Sequence, residues 1–219
     1  MNRAFAIVDD FLDPREHLDL WNAFQETGLS PERAGEWNQV YQRQDAEHGS
    51  ESRLRTPALQ DAAGNLPGAL RVFGEKLFAL ASGDQPPVSE IPWTCFSLSA
   101  WIYRPGFGLE WHSDTGWLAA YIYYMHPVWR SSWGGELLVA ATDDSASGIE
   151  AVAPSNADHS RDAVEAVCRT GGAFVYPRPN RLVLLRGGTL HCVKNVERAA
   201  GQAFRASLSG FFFNADKPL

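Results

Sequence analysis

The spacing of apolar residues predicts two amphipathic helices in the first part of the chain. The first is expected over about 13–27, because Asp13 is a good helix cap and Pro14 suits the first helical position. The second is expected over about 66–81, where apolar residues recur every three or four positions. The residues expected to face inward are Leu18, Trp21, Phe24, Leu66, Leu70, Phe73 and Leu77. A strand over 5–12 is expected to enter the first helix.

From residue 93 onward the pattern changes to short apolar runs between Gly and Pro turns, which is typical of strands. The predicted strands lie at about 93–103, 109–114, 117–126, 136–141, 174–176, 181–186, 190–194 and 203–213. This pattern predicts a mainly β protein with flanking helices, in which two sheets form a jelly roll. The polar stretch 43–63 is expected to be irregular surface. Residues 142–172, rich in small polar side chains, are expected to be an insertion, either a lid or a plain surface loop.

The length of 219 residues and the hydrophobic content of 45% predict a single domain, residues 1–219, with a sizeable core. We expect the helical part, about 13–81, to buttress one face of a sheet in the jelly-roll core, about 93–213. A separate helical module is the alternative. No apolar run approaches the roughly 20 residues that span a bilayer, and the N-terminus lacks a signal-peptide pattern. Three cysteines suggest reduced thiols, so we expect a cytoplasmic protein with no membrane partner.

Charge is distributed unevenly along the chain. The net charge is −7, but residues 1–168 carry 11 Lys and Arg against 24 Asp and Glu, whereas residues 169–219 carry 8 against 2. The negative total argues against nucleic-acid binding, so no nucleic-acid partner is expected. The basic last quarter would suit a dicarboxylate ligand, or its arginines would be ordinary solvated surface.

A split set of metal ligands is the most informative chemical feature of the chain. His112 and Asp114 lie two residues apart in a predicted strand, so their side chains should point to the same face. His191, on a later predicted strand, could complete a set of two histidines and one carboxylate. Such a set leaves coordination positions open and suits a non-haem Fe(II) that activates O2. A His-x-Asp tripeptide alone occurs by chance in many proteins, so the surrounding segments decide its meaning.

Seven segments occur in a characteristic order over roughly residues 93–213. They are Tyr103-Arg104-Pro105-Gly106, His112-Ser113-Asp114, Ile122-Tyr123-Tyr124-Met125-His126, Gly134-Gly135-Glu136-Leu137, Pro177 to Leu185, His191-Cys192-Val193, and Arg205. This order resembles the Fe(II)/2-oxoglutarate dioxygenases, and specifically their prolyl-4-hydroxylase-like branch. The resemblance implies a double-stranded β-helix, the cupin-like form of the jelly roll.

The resemblance also implies roles for individual residues. His112, Asp114 and His191 would bind Fe(II), and the presence of Asp114 argues against the halogenating relatives, which replace this carboxylate with a small residue. Arg205, expected to point inward from a strand, would form a bidentate pair with the distal carboxylate of 2-oxoglutarate. Arg198 is the second candidate for that pair, although it lies in a turn-like stretch.

Tyr103 and Tyr124 correspond to the tyrosines with which the hypoxia-sensing prolyl hydroxylases contact 2-oxoglutarate. The choice of Tyr124 over Tyr123 rests on that resemblance alone. His126 replaces an asparagine of the family and is not expected to be a ligand. Four tryptophans near the metal strands could line a substrate site or simply fill the barrel: Trp111, Trp117, Trp129 and Trp133. Arg104 and Arg130 could meet a substrate carboxylate.

The function implied by the resemblance is hydroxylation of a prolyl or other residue in a protein or peptide. The implied cofactors are Fe(II), with 2-oxoglutarate and O2 as cosubstrates and ascorbate as a further candidate. One alternative is hydroxylation of a free amino acid or other small molecule. An alternative of another class is a cupin-like, non-catalytic metal- or ligand-binding protein, which would hold Zn or Ni and would not need Arg205 to face the cavity.

Overall fold

The computed structural model describes residues 4–26, 30–31, 54–55, 59–61, 68–83, 88, 91–114, 116–141 and 171–214. Within these residues the helices are α1 (Pro14–Glu26) and α2 (Gly68–Ala81), with short 3-10 helices at Ser131–Trp133 and Arg198–Ala200. The strands are β1 (Phe5–Val8), β2 (Ser30–Pro31), β3 (Leu54–Arg55), β4 (Leu59–Asp61), β5 (Cys95–Tyr103), β6 (Leu109–Ser113), β7 (Ala119–Tyr124), β8 (Leu137–Ala140), β9 (Gly172–Val175), β10 (Leu182–Arg186), β11 (Leu190–Val193) and β12 (Arg205–Phe213). Among the described helices, none has the length and apolar character needed to cross a membrane.

Helix α1 begins with a reciprocal cap. The carboxylate of Asp13 accepts hydrogen bonds from the backbone N–H groups of Arg15 and Glu16, at 3.0 and 2.9 Å. The carboxylate of Glu16 accepts one in return from the backbone N–H of Asp13, at 2.9 Å. This capping box satisfies donors that the start of a helix would otherwise leave unpaired. It accounts for the close match between the predicted and observed start of the helix.

One residue predicted to face inward from α1 does not. Leu18 is 52% exposed, whereas Leu20 and Phe24 are buried. Because each residue of an α-helix is turned about 100° from the last, Leu18 lies nearly opposite Leu20. His17 takes the inward position, and its Nδ1 lies 2.6 Å from the hydroxyl oxygen of Tyr123. The prediction was wrong because a polar residue occupies part of the buried face.

The strands form two antiparallel sheets. In the larger sheet the order is β1, β10, β7, β12, β5, β3, β2, and β4 pairs with β5 beside this path. In the smaller sheet the order is β6, β11, β8, β9. Consecutive strands from β5 to β8 alternate between the two sheets, as in a jelly roll. The predicted fold class, mainly β with flanking helices and a double-stranded β-helix, is confirmed.

Two short segments of the polar stretch 43–63, which was predicted to be irregular, form strands instead, and its other residues lie outside the described ones. Strands β3 and β4 both pair with β5 in the larger sheet. Strands of two and three residues are too short to show an alternating pattern, so periodicity could not reveal them. Strand β9 begins at Gly172, two residues before its predicted start. Residues 142–170, most of the predicted insertion or lid, lie outside the described residues.

Strand β7 separates two apolar layers. Its residues alternate between the two faces of the sheet. Tyr121 and Tyr123 pack in the layer that contains the helices, while Ala120, Ile122 and Tyr124 face the smaller sheet. All six residues of β7 are buried, as expected for a central strand covered on both sides. The helices therefore cover the outer face of the larger sheet and leave its inner face to the site.

Candidate active site

His112 and His191 face each other across two neighbouring strands of the smaller sheet. They are register partners in the pairing of β6 with β11, and their ring centres lie 4.2 Å apart. Asp114 comes directly after the end of β6. A step of two residues along an extended chain returns to the same face, which brings its carboxylate beside His112.

The three side chains surround one small volume. Asp114 Oδ1 lies 3.9 Å from His112 Nε2, and Asp114 Oδ2 lies 3.6 Å from His191 Nε2. One potential ligand atom from each residue lies within 4.8 Å of the other two. Two imidazole nitrogens and one carboxylate oxygen on one side of a site leave the other side open. This donor set fits Fe(II).

Backbone contacts hold both imidazoles in the form that binds a metal. His112 Nδ1 lies 2.7 Å from the carbonyl oxygen of Glu110, and His191 Nδ1 lies 2.8 Å from that of Thr189. A carbonyl oxygen can only accept, so Nδ1 carries the proton and Nε2 keeps its lone pair for a ligand bond. Burial lowers the pKa of His191 to about 4, and the neighbouring His112 acts in the same direction. The ring is therefore neutral near pH 7, as metal binding requires.

Arg205 is a buried cation in the cavity between the sheets. Arg205 exposes only 1% of its surface to solvent. Its Nε donates to the carbonyl oxygen of Gly135 at 3.0 Å, and its Nη1 donates to the hydroxyl of Ser207 at 3.4 Å. Its Nη2 is buried and has no hydrogen-bond partner among the described residues. A guanidinium buried in this way is costly unless a counter-charge is supplied.

Tyr103 and Tyr124 bracket the guanidinium of Arg205. The Cζ atom of Arg205 lies 5.1 Å from the ring centre of Tyr103 and 4.8 Å from that of Tyr124. Tyr103 is the register partner of Arg205 in the pairing of β5 with β12. The hydroxyl of Tyr124 is buried and has no hydrogen-bond partner in the described part of the chain. Burial raises the pKa of Tyr124, so its phenol stays a neutral donor.

The tertiary structure separates the two adjacent tyrosines of β7. The hydroxyl of Tyr123 donates to Asn180 Oδ1 at 2.9 Å and lies against His17, on the helix side of the sheet. Tyr124 lies on the opposite side, next to Arg205. Of the two, Tyr124 is the one whose phenol lies near the guanidinium.

Arg198 and His126 lie outside this arrangement. Arg198 is exposed in the second 3-10 helix, whereas Arg205 lines the cavity. Both ring nitrogens of His126 contact backbone: Nε2 lies 2.8 Å from the carbonyl oxygen of Pro177, and Nδ1 accepts from the N–H of Ala206 at 3.3 Å. These contacts tie β12 to the turn before β10 and leave no nitrogen of His126 for a ligand.

The Gly-Gly-Glu-Leu segment makes room for Arg205. Gly135 has a φ of +72°, and a Cβ added there would lie 3.1 Å from Cδ of Arg205. Glycine lets the backbone approach this closely, so that its carbonyl oxygen can accept from Nε of Arg205. The carbonyl of Gly134 accepts from the indole N–H of Trp129 at 2.9 Å. This motif thus shapes the end of the cavity rather than supplying a reactive group.

Sequence reasoning missed Ser207. Its hydroxyl lies on the same strand face as Arg205, contacts Nη1 and lines the same cavity. The spacing of Arg205-Ala206-Ser207 could have revealed it, because residues i and i+2 of a strand share a face.

One cavity contains the three candidate metal ligands and Arg205. Its other lining residues are Trp101, Tyr103, Leu109, Ala120, Tyr121, Ile122, Leu185, Val193, Ser207, Ser209, Gly210 and Phe211. Of the four tryptophans considered from the sequence, none is in this lining. Trp129 and Trp133 pack edge to face with ring centres 5.2 Å apart. Arg104 and Arg130 are exposed.

The chain belongs to the 2OG-Fe(II) oxygenase superfamily, whose family model matches residues 98–213. The predicted family and enzyme class, a 2-oxoglutarate-dependent oxygenase, are therefore confirmed. A search of curated proteins found no match.

The fold is shared with solved structures whose sequences differ greatly from this chain, as three of them show by their identity to it. A Pseudomonas putida prolyl-4-hydroxylase is 15% identical, with a TM-score of 0.62, and the match covers 96% of this chain and 92% of that one. A Trichoplax adhaerens prolyl hydroxylase in complex with a hypoxia inducible factor peptide fragment is 17% identical, with a TM-score of 0.64 and coverages of 97% and 84%. The carbocyclase SnoK from nogalamycin biosynthesis is 13% identical, with a TM-score of 0.59 and coverages of 98% and 81%. At these identities the likeness shows the fold alone.

Proposed function

We propose that this protein hydroxylates a prolyl or other residue in a protein or peptide. In this proposal His112, Asp114 and His191 hold Fe(II). When bound, Fe(II) with 2-oxoglutarate and O2 supplies the oxidation, in which 2-oxoglutarate becomes succinate and CO2 and one oxygen atom passes to the substrate.

The observation that carries the proposal is a buried cation in the cavity of the candidate metal ligands, with no ion pair to any residue that the structure describes. Arg205 has an unpartnered Nη2 within the described part of the chain, and the phenol of Tyr124 beside it is also unpartnered. A distal carboxylate of 2-oxoglutarate would accept from both groups and neutralise the charge. A protein that binds only a metal would have no need for this arrangement, and turnover separates an enzyme from a protein that binds the dicarboxylate without reaction.

The chain's own residues would position and shield the cosubstrate. Arg205 would bind the distal carboxylate, Tyr124 and Ser207 would donate to it, and Tyr103 would cover one face of the guanidinium. The Nδ1 contacts would orient the rings of His112 and His191 so that Nε2 faces the metal. Because the cavity lies between two sheets, most of its wall excludes water, which strengthens each of these polar contacts.

The peptide substrate is supported by the ordered motifs of the prolyl-4-hydroxylase-like branch. Among the structures of the same fold, one prolyl hydroxylase is described in complex with a peptide fragment. SnoK, a carbocyclase with the same fold, shows that the fold also serves other reactions. Substrate choice therefore has to be tested on this chain.

The test is turnover by the Fe(II)-loaded protein in air with 2-oxoglutarate and ascorbate. We expect succinate, formed slowly without substrate and faster with a suitable peptide, and a gain of one oxygen atom by that peptide in mass spectrometry. Asp114→Ala is the matched negative control, because it removes one ligand and keeps the remaining cavity. Absence of succinate from well-folded, iron-loaded protein would favour the non-catalytic alternative.

A further inference from the structure

The guanidinium of Arg205 is held by neutral groups in the described part of the chain. Its hydrogen bonds there go to the carbonyl oxygen of Gly135 and to the hydroxyl of Ser207. An arginine side chain has many rotamers, and without a partner carboxylate only such contacts and the surrounding rings restrict them. The position of the charge therefore depends on what fixes the start of β12 and the backbone at Gly135.

His126 fixes the start of β12. It is 2% exposed and follows the end of β7, where the backbone pairing of β7 with β12 ends. The backbone N–H of Met125 still donates to the carbonyl oxygen of Ala206, at 3.0 Å. The N–H of Ala206 donates instead to a side chain, at 3.3 Å from Nδ1 of His126. The imidazole thus takes the place of a backbone acceptor beside the residue that follows Arg205.

The imidazole of His126 is itself fixed from its other side. Its Nε2 lies 2.8 Å from the carbonyl oxygen of Pro177. A carbonyl oxygen can only accept, so Nε2 carries the proton and Nδ1 keeps its lone pair for Ala206. Burial lowers the pKa of His126 to about 4, so the ring is neutral near pH 7. Both nitrogens are therefore used in one tautomer and one orientation.

Trp129 fixes the other contact of Arg205. Its ring centre lies 4.6 Å from that of His126. Its indole N–H donates to the carbonyl oxygen of Gly134 at 2.9 Å. A Cβ added at Gly135 would lie 3.3 Å from Cζ2 of Trp129, so the indole also lies against Gly135. Because the carbonyl of Gly135 accepts from Nε of Arg205, the indole holds the acceptor in place.

We infer that His126 and Trp129 are positioning residues for Arg205, and that their contacts set the length of the dicarboxylate that the cavity accepts. A molecule held by the metal ligands at one end and by the guanidinium at the other has to match the separation between them. Neither residue lines the cavity, so both act through Arg205. This inference rests on the proposed function, because it takes 2-oxoglutarate as the molecule that is held.

The experiment compares two ligands that differ by one methylene. 2-Oxoglutarate and the longer 2-oxoadipate are titrated calorimetrically into Mn(II)-loaded protein, so that no turnover consumes the ligand. The wild type should prefer 2-oxoglutarate by at least about tenfold, the scale of one methylene in a fitted pocket. His126→Ala should raise the Kd of 2-oxoglutarate by about tenfold and reduce the preference to about threefold or less, because the freed guanidinium can follow the longer ligand.

Two conservative variants separate the contacts. His126→Asn keeps an acceptor at the δ position, so it should still accept from Ala206 and retain most of the wild-type preference. Trp129→Phe keeps a ring against His126 but removes the donor to Gly134, so its preference should lie between those of the wild type and His126→Ala.

The matched control is Tyr123→Phe, which removes a buried hydroxyl on the helix side of the larger sheet. It should lose stability in urea unfolding but keep the wild-type Kd of 2-oxoglutarate and the wild-type preference. An equal loss of preference in this control would show general loosening of the core and overturn the inference. A wild-type preference in folded His126→Ala, or in Trp129→Phe if His126→Ala does not fold, would also overturn it.

Failure of this inference is distinguishable from failure of the proposed function. If wild-type protein binds 2-oxoglutarate and 2-oxoadipate equally well, the length selection is wrong and the proposed cosubstrate site remains. If Mn(II)-loaded wild type binds neither ligand and the Fe(II)-loaded protein yields no succinate, the proposed function itself fails.

Discussion

The guanidinium carbon of Arg205 lies 4.8 Å from the ring centre of Tyr124, so this buried cation rests on an aromatic face. The attraction between a cation and a ring offsets part of the cost of removing the charge from water. Nη2 of Arg205 and the hydroxyl of Tyr124 nevertheless have no hydrogen-bond partner in the described residues. A single ligand carboxylate placed between them would satisfy both groups.

Replacing Arg205 by methionine should separate ligand binding from folding. Losing one partner of a buried charge pair costs about 2–5 kcal/mol, so 2-oxoglutarate affinity should fall at least about thirtyfold. The metal-free protein should keep or gain stability, because an unpaired buried charge is removed and a side chain of similar length remains. Calorimetric titration of 2-oxoglutarate into Mn(II)-loaded protein and urea unfolding measure the two effects. Exposed Arg198→Met is the control; if that variant loses the affinity instead, the role belongs to Arg198.

The adjacent tyrosines of β7 should respond in opposite ways to loss of their hydroxyls. Tyr124→Phe should weaken 2-oxoglutarate binding by about tenfold, the scale of one hydrogen bond to a charged group, with little change in stability. Tyr123→Phe should leave that affinity unchanged but cost about 1–3 kcal/mol of stability, because His17 Nδ1 loses its partner and Asn180 Oδ1 keeps only the backbone N–H of Leu12. The same titration and urea unfolding, applied to both variants, test this. If both variants lost the same affinity for 2-oxoglutarate, the side of the sheet on which a phenol lies would not determine which tyrosine binds the cosubstrate.

Loss of one candidate ligand should abolish tight metal binding without unfolding the protein. His191→Ala should lower the affinity for Fe(II) or Mn(II) by more than about a hundredfold. Loss of a group that only hydrogen-bonds to a metal ligand already lowers metal affinity by about ten- to a hundredfold. Equilibrium dialysis under argon with metal analysis measures it. His17→Gln removes a histidine on the other side of the larger sheet and should bind metal normally. Retention of stoichiometric metal by His191→Ala would assign the metal to other residues.

Stability should fall in mild acid, in part because of His126. Burial lowers the pKa of His126 to about 4, and the charge of Arg205 acts in the same direction. The unfolded chain, with a pKa near 6.5, binds the proton first, so this contribution is complete above pH 6.5 and is lost as the pH falls toward 4. The expected slope is about 1.4 kcal/mol per pH unit for one proton.

His126→Gln provides the comparison for that pH dependence. Its free energy of unfolding should change with pH less steeply than that of the wild type between pH 6.5 and 4, by about one proton. His191, whose pKa is also lowered to about 4, is present in both proteins and cancels in the difference. Urea unfolding of the metal-free proteins at several pH values measures the slopes. Parallel curves would mean that His126 is already protonated in the folded state.

The local features of this protein followed from the sequence because they depend on neighbours along the chain. The cap at Asp13, the strands of the second half and the shared face of His112 and Asp114 all arise from fixed helical or strand periods. Leu18 shows the limit of this reasoning. The helical period predicts which apolar residues share one face of α1, but it does not predict that a polar residue, here His17, is part of the buried face.

Only the tertiary structure decided between residues that are equivalent along the chain. Tyr123 and Tyr124 are equally plausible in a buried strand, and the packing of α1 against one face determines which phenol meets Arg205. Arg205 differs from Arg198 because β12 lies between β5 and β7, where its side chain is enclosed. The stacking of Phe211 on Trp117 joins residues from β12 and the segment before β7. Such contacts depend on sheet order, and sheet order is set by the whole chain at once.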